Sequence, residues 1–225
     1  MDRKAVVIIS GGMDSTTLLY DVVAELGKDN VQAISFNYNQ KHKCELEKAK
    51  KTCEKLGVNH KVLSLAVLNE VAPSALTRDD WEVPSGHYAD ENMKQTVVPN
   101  RNMVMLSLAA AYAMGVKAQE LYYGAHAGNH TIYPDCRPEF IDSMIQSIKL
   151  ADWNEVELKA PYWNINKIDI LKKGLELGVD YSLTHTCYNP NKAGESCGKC
   201  GSCRERLEAF EKNGIKDPLK YYDAV

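Results

Sequence analysis

Short apolar runs and helix-period stripes alternate along most of the chain. Ala5-Val6-Val7-Ile8-Ile9 predicts a buried strand over about residues 4–10, followed by a helix over about 14–26 that Gly27 stops. Val31 to Phe36 reads as a second strand. Leu46, Ala49, Cys53 and Leu56 then recur at helical spacing up to Gly57, and His60 to Leu65 makes a third strand. Beyond these, residues 101–114, 138–150 and 166–177 read as helices. Glu120 to Ala125 and Val156 to Ala160 read as strands four and five, the last ended by Pro161. Residues 69–96 have weak periodicity and carry Pro73, Pro84 and Gly86, so they form a candidate lid or a plain surface loop.

Strands alternating with helices predict βαβ units, an α/β fold with one parallel sheet, and ligands at the carboxyl ends of its strands. The expected division is a nucleotide-binding domain over 1–182 and a small segment over 183–225 packed on it. A chain of 225 residues is long enough to bury a full core. Its net charge of −3 gives no global pull toward RNA or DNA, so direct nucleic-acid binding is not expected. Met1-Asp2-Arg3-Lys4 is unlike a signal peptide and no apolar stretch is long enough for a membrane span, which predicts a cytoplasmic protein.

Ser10-Gly11-Gly12-Met13-Asp14-Ser15, followed by Thr16, leaves the first strand and opens the first helix. Adjacent glycines let backbone N–H groups approach an anion, and the helix start adds free donors and partial positive charge. Ser10 and Ser15 add hydroxyls. Asp14 repels phosphate, so its expected partner is a Mg²⁺ bridging carboxylate and phosphate. The plainer reading is a tight turn with a capping residue. The string lacks the Gly-Lys-Ser/Thr ending of kinase loops and the spaced glycines of dinucleotide binders.

Seven cysteines would suit disulfides in a secreted chain, but Cys187, Cys197, Cys200 and Cys203 have metal-ligand spacing, C-x9-C-x2-C-x2-C. Four thiolates leave no open position, so the expected metal is one structural Zn²⁺, with an iron–sulfur group as the minor alternative. Cys44 and Cys53 read as packing residues, and Cys136 as non-catalytic.

The Ser10–Ser15 string resembles the signature of the PP-loop ATP pyrophosphatases, which implies adenylation with release of pyrophosphate. Together with the cysteine cluster it resembles, more narrowly, the 7-cyano-7-deazaguanine synthase (QueC) family. Further matching segments are Phe36-Asn37-Tyr38-Asn39-Gln40-Lys41-His42, Ala75-Leu76-Thr77-Arg78, Val98-Pro99-Asn100-Arg101-Asn102, Tyr133-Pro134-Asp135-Cys136-Arg137 and Leu183 to Asn189, with Lys167 at a helix start. The resemblance implies a Rossmann-like sheet of the adenine nucleotide alpha hydrolase type and a homodimer. It also implies that 7-carboxy-7-deazaguanine is adenylated by ATP, converted by ammonia to the amide, then adenylated again to give the nitrile. Arg101, Arg137 and Lys167 would then balance phosphate charge. Asp135 would accept from the deazaguanine N1–H and exocyclic amine, with Tyr38 or Tyr133 stacking on the ring.

Two places depart from the family pattern. Gly124-Ala125-His126-Ala127-Gly128-Asn129-His130-Thr131-Ile132 replaces an expected Gly-Val-Cys-Glu-Thr-Asp segment, and Asn100 stands where glycine is more usual. His126 and His130 are read evenly as groups near the acyl centre or as solvent-facing loop residues. The competing functions are a related ligase that stops at the amide or uses another acceptor, and a non-catalytic nucleotide-binding module with a zinc knuckle for a partner.

Overall fold

The structure is a computed structural model that describes residues 3–78, 80–87, 90–126 and 133–222. Its sheet has five strands: β1 (Ala5–Ile8), β2 (Val31–Asn37), β3 (Asn59–Ser64), β4 (Glu120–Tyr122) and β5 (Glu157–Lys159). They lie in the order β3-β2-β1-β4-β5 and every neighbouring pair is parallel. The chain steps outward from β1 to β2 and β3, then returns to the other side of β1 for β4. The reversal leaves a crevice at the carboxyl ends of β1 and β4.

Alternating side chains send each strand into two cores. Val6, Ile34, Phe36 and Leu121 face one layer, where they meet α5 (Arg101–Gly115) through Leu106, Ala109 and Ala113, and α6 (Pro138–Lys149) through Ile141, Met144 and Ile148. Val7, Ile9, Ala33 and Tyr122 face the other layer. There they meet Leu18, Leu19 and Val22 of α1 (Met13–Leu26), Ala49 and Cys53 of α2 (Cys44–Leu56), and Ile170 of α7 (Lys167–Glu176). Each fully buried Leu or Ile in these layers contributes about 1.5–3 kcal/mol of transfer free energy. No helix among the described residues is long and apolar enough to cross a membrane.

Every strand and helix expected from periodicity is present, with ends that differ by a few residues. Three helices carry no clear periodic signal: α3 (Val67–Val71) and α4 (Asp90–Thr96) inside the weakly patterned segment, and α8 (Gly201–Lys212) behind the cysteines. Helix α8 docks through Ala209 and Phe210 on Met13, Leu171, Val179 and Tyr181, so the last helix packs on the first and seventh. Asn100 has φ +58°, a left-handed conformation at the start of α5 that glycine and asparagine tolerate best. The departure at position 100 is therefore conformationally conservative.

Candidate active site

The turn after β1 is wired to itself and to the end of the chain. The Ser10 N–H donates to Ser15 Oγ at 3.1 Å, and the Gly12 N–H donates to Ser10 Oγ at 3.1 Å. Gly11 has φ +94°, and a Cβ there would lie 2.0 Å from the Glu45 carbonyl oxygen of α2, so the turn accepts no side chain at that point. The His185 N–H donates to the Gly11 carbonyl at 2.9 Å, which ties the turn to the segment before the cysteines. Met13 and Thr16, expected beside nucleotide, are buried. Met13 packs in the cluster under α8, and neither lines the cavity described next.

A cavity of about 280 Å³ opens at the crevice between β1 and β4. Ser10, Gly12, Asp14 and Ser15 line one side, and Tyr38, Arg101, Tyr133 and Asp135 line another. Thr186, Tyr188 and Ser202 reach it from the carboxy-terminal segment. The structure thus brings the turn, Lys167, Arg101 and the deazaguanine candidates into one space. Arg137 stays out of it: the residue caps the exposed start of α6 and does not line the cavity.

Charge is concentrated here. Lys167 Nζ is 3.3 Å from Asp14 Oδ2 and 2.7 Å from Glu205 Oε2 of α8, with its side chain only 5% exposed. His126 Nε2 lies 3.7 Å from Asp14 Oδ2; His130 and the rest of 127–132 fall outside the described residues. Asp14 Oδ1 is buried and has no hydrogen-bond partner, a vacancy in its bonding that suits a divalent cation. Arg101 donates from Nη1 to the Tyr38 hydroxyl at 3.3 Å and stacks over its ring at 5.7 Å. Burial opposes that guanidinium's charge, but Tyr38 and Asp135 outweigh it and hold the pKa above its ordinary value. Tyr133 OH shares a 2.7 Å hydrogen bond with Thr96 Oγ1. Burial pushes the Cys136 thiol up to about 12, which removes it as a ready nucleophile.

Two more ionisable groups, to which the sequence motifs assigned no role, line the cavity. Glu45, in the first turn of α2, is buried, and burial drives its carboxyl well above the usual range. Burial holds the His42 imidazole down at about 3. The signal for Glu45 was present in the sequence: it falls on the same helical face as Ala49, Thr52 and Cys53, where an apolar residue belongs.

The four cysteine sulfurs lie within 4.8 Å of one another and are all buried. Cys197 Sγ and Cys203 Sγ are 3.9 Å apart; a tetrahedron with metal–sulfur bonds of about 2.3 Å has an edge of ~3.8 Å. Backbone N–H groups of Cys197 and Asn189 donate to Cys187 Sγ, and those of Lys199 and Cys200 donate to Cys197 Sγ, as thiolate ligands require. The donor set fits one metal ion.

The sequence profile described as "Queuosine biosynthesis protein QueC" matches residues 4–214. The chain belongs to the QueC family. Its relatives include the 7-cyano-7-deazaguanine synthase of Caldicellulosiruptor saccharolyticus, 61% identical over 97% of this chain and 95% of that protein. The synthase of Methanoregula boonei is 59% identical over 97% of this chain and 99% of that protein. Among solved structures, an NMN synthetase from Francisella tularensis aligns with TM-score 0.51 at 16% identity, covering 96% of this chain and 79% of that one. The U34-tRNA thiolase NcsA of Methanococcus maripaludis, solved with its [4Fe-4S] cluster, aligns with TM-score 0.50 at 15% identity, covering 94% of this chain and 66% of that one. Those two likenesses concern the fold. The cavity described above lies where Rossmann-like sheets hold ligands.

Proposed function

We propose that this chain is an ATP-dependent ligase that converts 7-carboxy-7-deazaguanine and ammonia to 7-cyano-7-deazaguanine, through an acyl-adenylate and an amide. The observation that carries the reading is the single cavity shared by the Ser10–Ser15 turn and the Tyr38, Tyr133 and Asp135 group. The names of the close relatives support it. A carboxylate is a poor electrophile, and AMP makes it a good one. In this reading Ser10, Gly12 and Ser15 hold the departing pyrophosphate, while Lys167 and Arg101 balance its charge. A Mg²⁺ bound at Asp14 would add Lewis-acid charge stabilisation there. Asp135 accepts from the base's N1–H and amine, and Tyr38 and Tyr133 offer their rings.

We assign Zn²⁺ to Cys187, Cys197, Cys200 and Cys203, supported by sulfurs too close together to cap the corners of an iron–sulfur cube. Metal analysis of the purified chain tests this, and one zinc per chain is the expected result. We further propose a cytoplasmic homodimer acting on the free base rather than on nucleic acid. Seven unpaired cysteines and the exposed Leu150 and Trp153 support the compartment and the self-association respectively.

Mass spectrometry of the chain with ATP, Mg²⁺, ammonium and the deazaguanine acid tests the whole reading. Nitrile with AMP and pyrophosphate is expected. Amide alone would redirect attention to the His126 segment, and no acid-dependent pyrophosphate at all would overturn the reading.

A further inference from the structure

The proposed reaction consumes ammonia, yet at neutral pH almost all of it is ammonium, which has no lone pair to attack with. Some group beside the acyl centre must take a proton from it. The cavity holds one carboxyl group outside the loop and the base-recognition set whose surroundings suit that task. Glu45 lines the cavity, its backbone pressed against Gly11 and its carboxylate 3.7 Å from His42 Nε2. That separation is beyond a hydrogen bond, so the two groups face each other without satisfying each other. His42 is 4% exposed, lines the same cavity, and its Nδ1 is buried with no hydrogen-bond partner. The other charged groups acting on Glu45 are Arg101 of α5, Asp14 of α1 and Lys167 of α7.

We propose that Glu45, with His42 beside it, receives ammonium in the cavity and takes one proton from it, so that ammonia attacks the activated acyl carbon. This inference rests on the synthase reading. Glu45 carboxylate and ammonium become the neutral acid and ammonia. The nitrogen lone pair forms the C–N bond, the C–O bond to AMP breaks, and AMP leaves with that electron pair. The second proton lost by nitrogen goes to the departing phosphate or to water. A carboxyl group that burial has made a stronger base lowers the cost of the first transfer. The neutral His42 imidazole offers a hydrogen bond to the same small guest without adding a repelling charge.

Glu45→Gln separates this role from adenylation. Acid-dependent exchange of pyrophosphate into ATP should stay within about threefold of the parent chain. Trapping of the adenylate by hydroxylamine, a free base at neutral pH, should persist as well, and it reports a folded enzyme in the same sample. The rate with ammonium should fall about 100-fold at neutral pH. What remains should follow free ammonia, rising about tenfold per pH unit. Glu45→Asp should recover part of the loss. Ammonium use by Glu45→Gln within threefold of the parent, beside normal exchange, would overturn this proposal alone. Lost exchange in the variant would also overturn it, by moving Glu45 into adenylation. No exchange in the parent would instead remove the synthase reading, and this inference with it.

Discussion

Two groups of polar side chains in this protein are treated in opposite ways. Arg206 of α8 is wholly buried, and every nitrogen of its guanidinium has a hydrogen-bond partner. Nε donates to Asp217 Oδ2 at 2.6 Å, Nη2 to Asp217 Oδ1 at 3.0 Å, and Nη1 to Thr184 Oγ1 at 2.7 Å. Asp217 is equally occupied, taking the Tyr221 hydroxyl and the Leu219 N–H as well. On the cavity wall, Asp14 Oδ1, His42 Nδ1 and Thr186 Oγ1 are buried with no hydrogen-bond partner. A saturated buried pair fixes the fold of the segment that carries it. Polar groups on a cavity wall that have no protein partner are left available to a ligand.

The strongest way to break the comparison is Asp14→Ala. On the unsaturated side it should lower turnover about 1,000-fold, ~4 kcal/mol, while the urea midpoint stays level or rises. Normal pyrophosphate release from that variant would remove Asp14 from the metal-binding role. On the saturated side, Arg206→Ala should cost about 3 kcal/mol of stability by stranding Asp217, read as a lower urea midpoint. A midpoint equal to the parent's would erase the distinction between the two groups.

The smallest effect sharpens it through pH. The unfolded His42 takes a proton near pH 6.5, but the folded one resists until about 3. Between those values the unfolded state binds more protons, so stability falls as pH falls, by about 3 kcal/mol from pH 6.5 to 4. Arg101 and His185 act on His42 with the same sign, whereas Glu45 in contact with it works oppositely because its pKa is raised. The test is therefore the difference between parent and His42→Asn, in which this acid-side loss should shrink.

How far the sequence discloses this molecule depends on which force shapes each part. The sheet layers are written in period-2 and period-3.6 patterns, so β1 to β5 and their helices were readable. Helix α8 was hidden because its start is set by metal-ligand spacing and its burial rests on few residues, Ala209 and Phe210 among them. The turn and the cysteines were legible as motifs because their chemistry is local. Glu45 and His42 were not singled out, since what matters about them is desolvation, which depends on α1, α5 and α7 closing around them. Arg137 came from the same motif as Asp135, but it stands exposed at the start of α6 and is not among the residues lining the cavity.

The hydrogen bond from His185 to Gly11, and the grip of Glu205 on Lys167, join the first turn of the chain to its final fifth. During synthesis that turn leaves the ribosome early and waits for residues made much later. A nascent chain, or one cut short before residue 183, carries the Ser10–Ser15 string without the residues that hold the turn and Lys167 in place. The order of translation thereby leaves the turn unanchored until those later residues have been made.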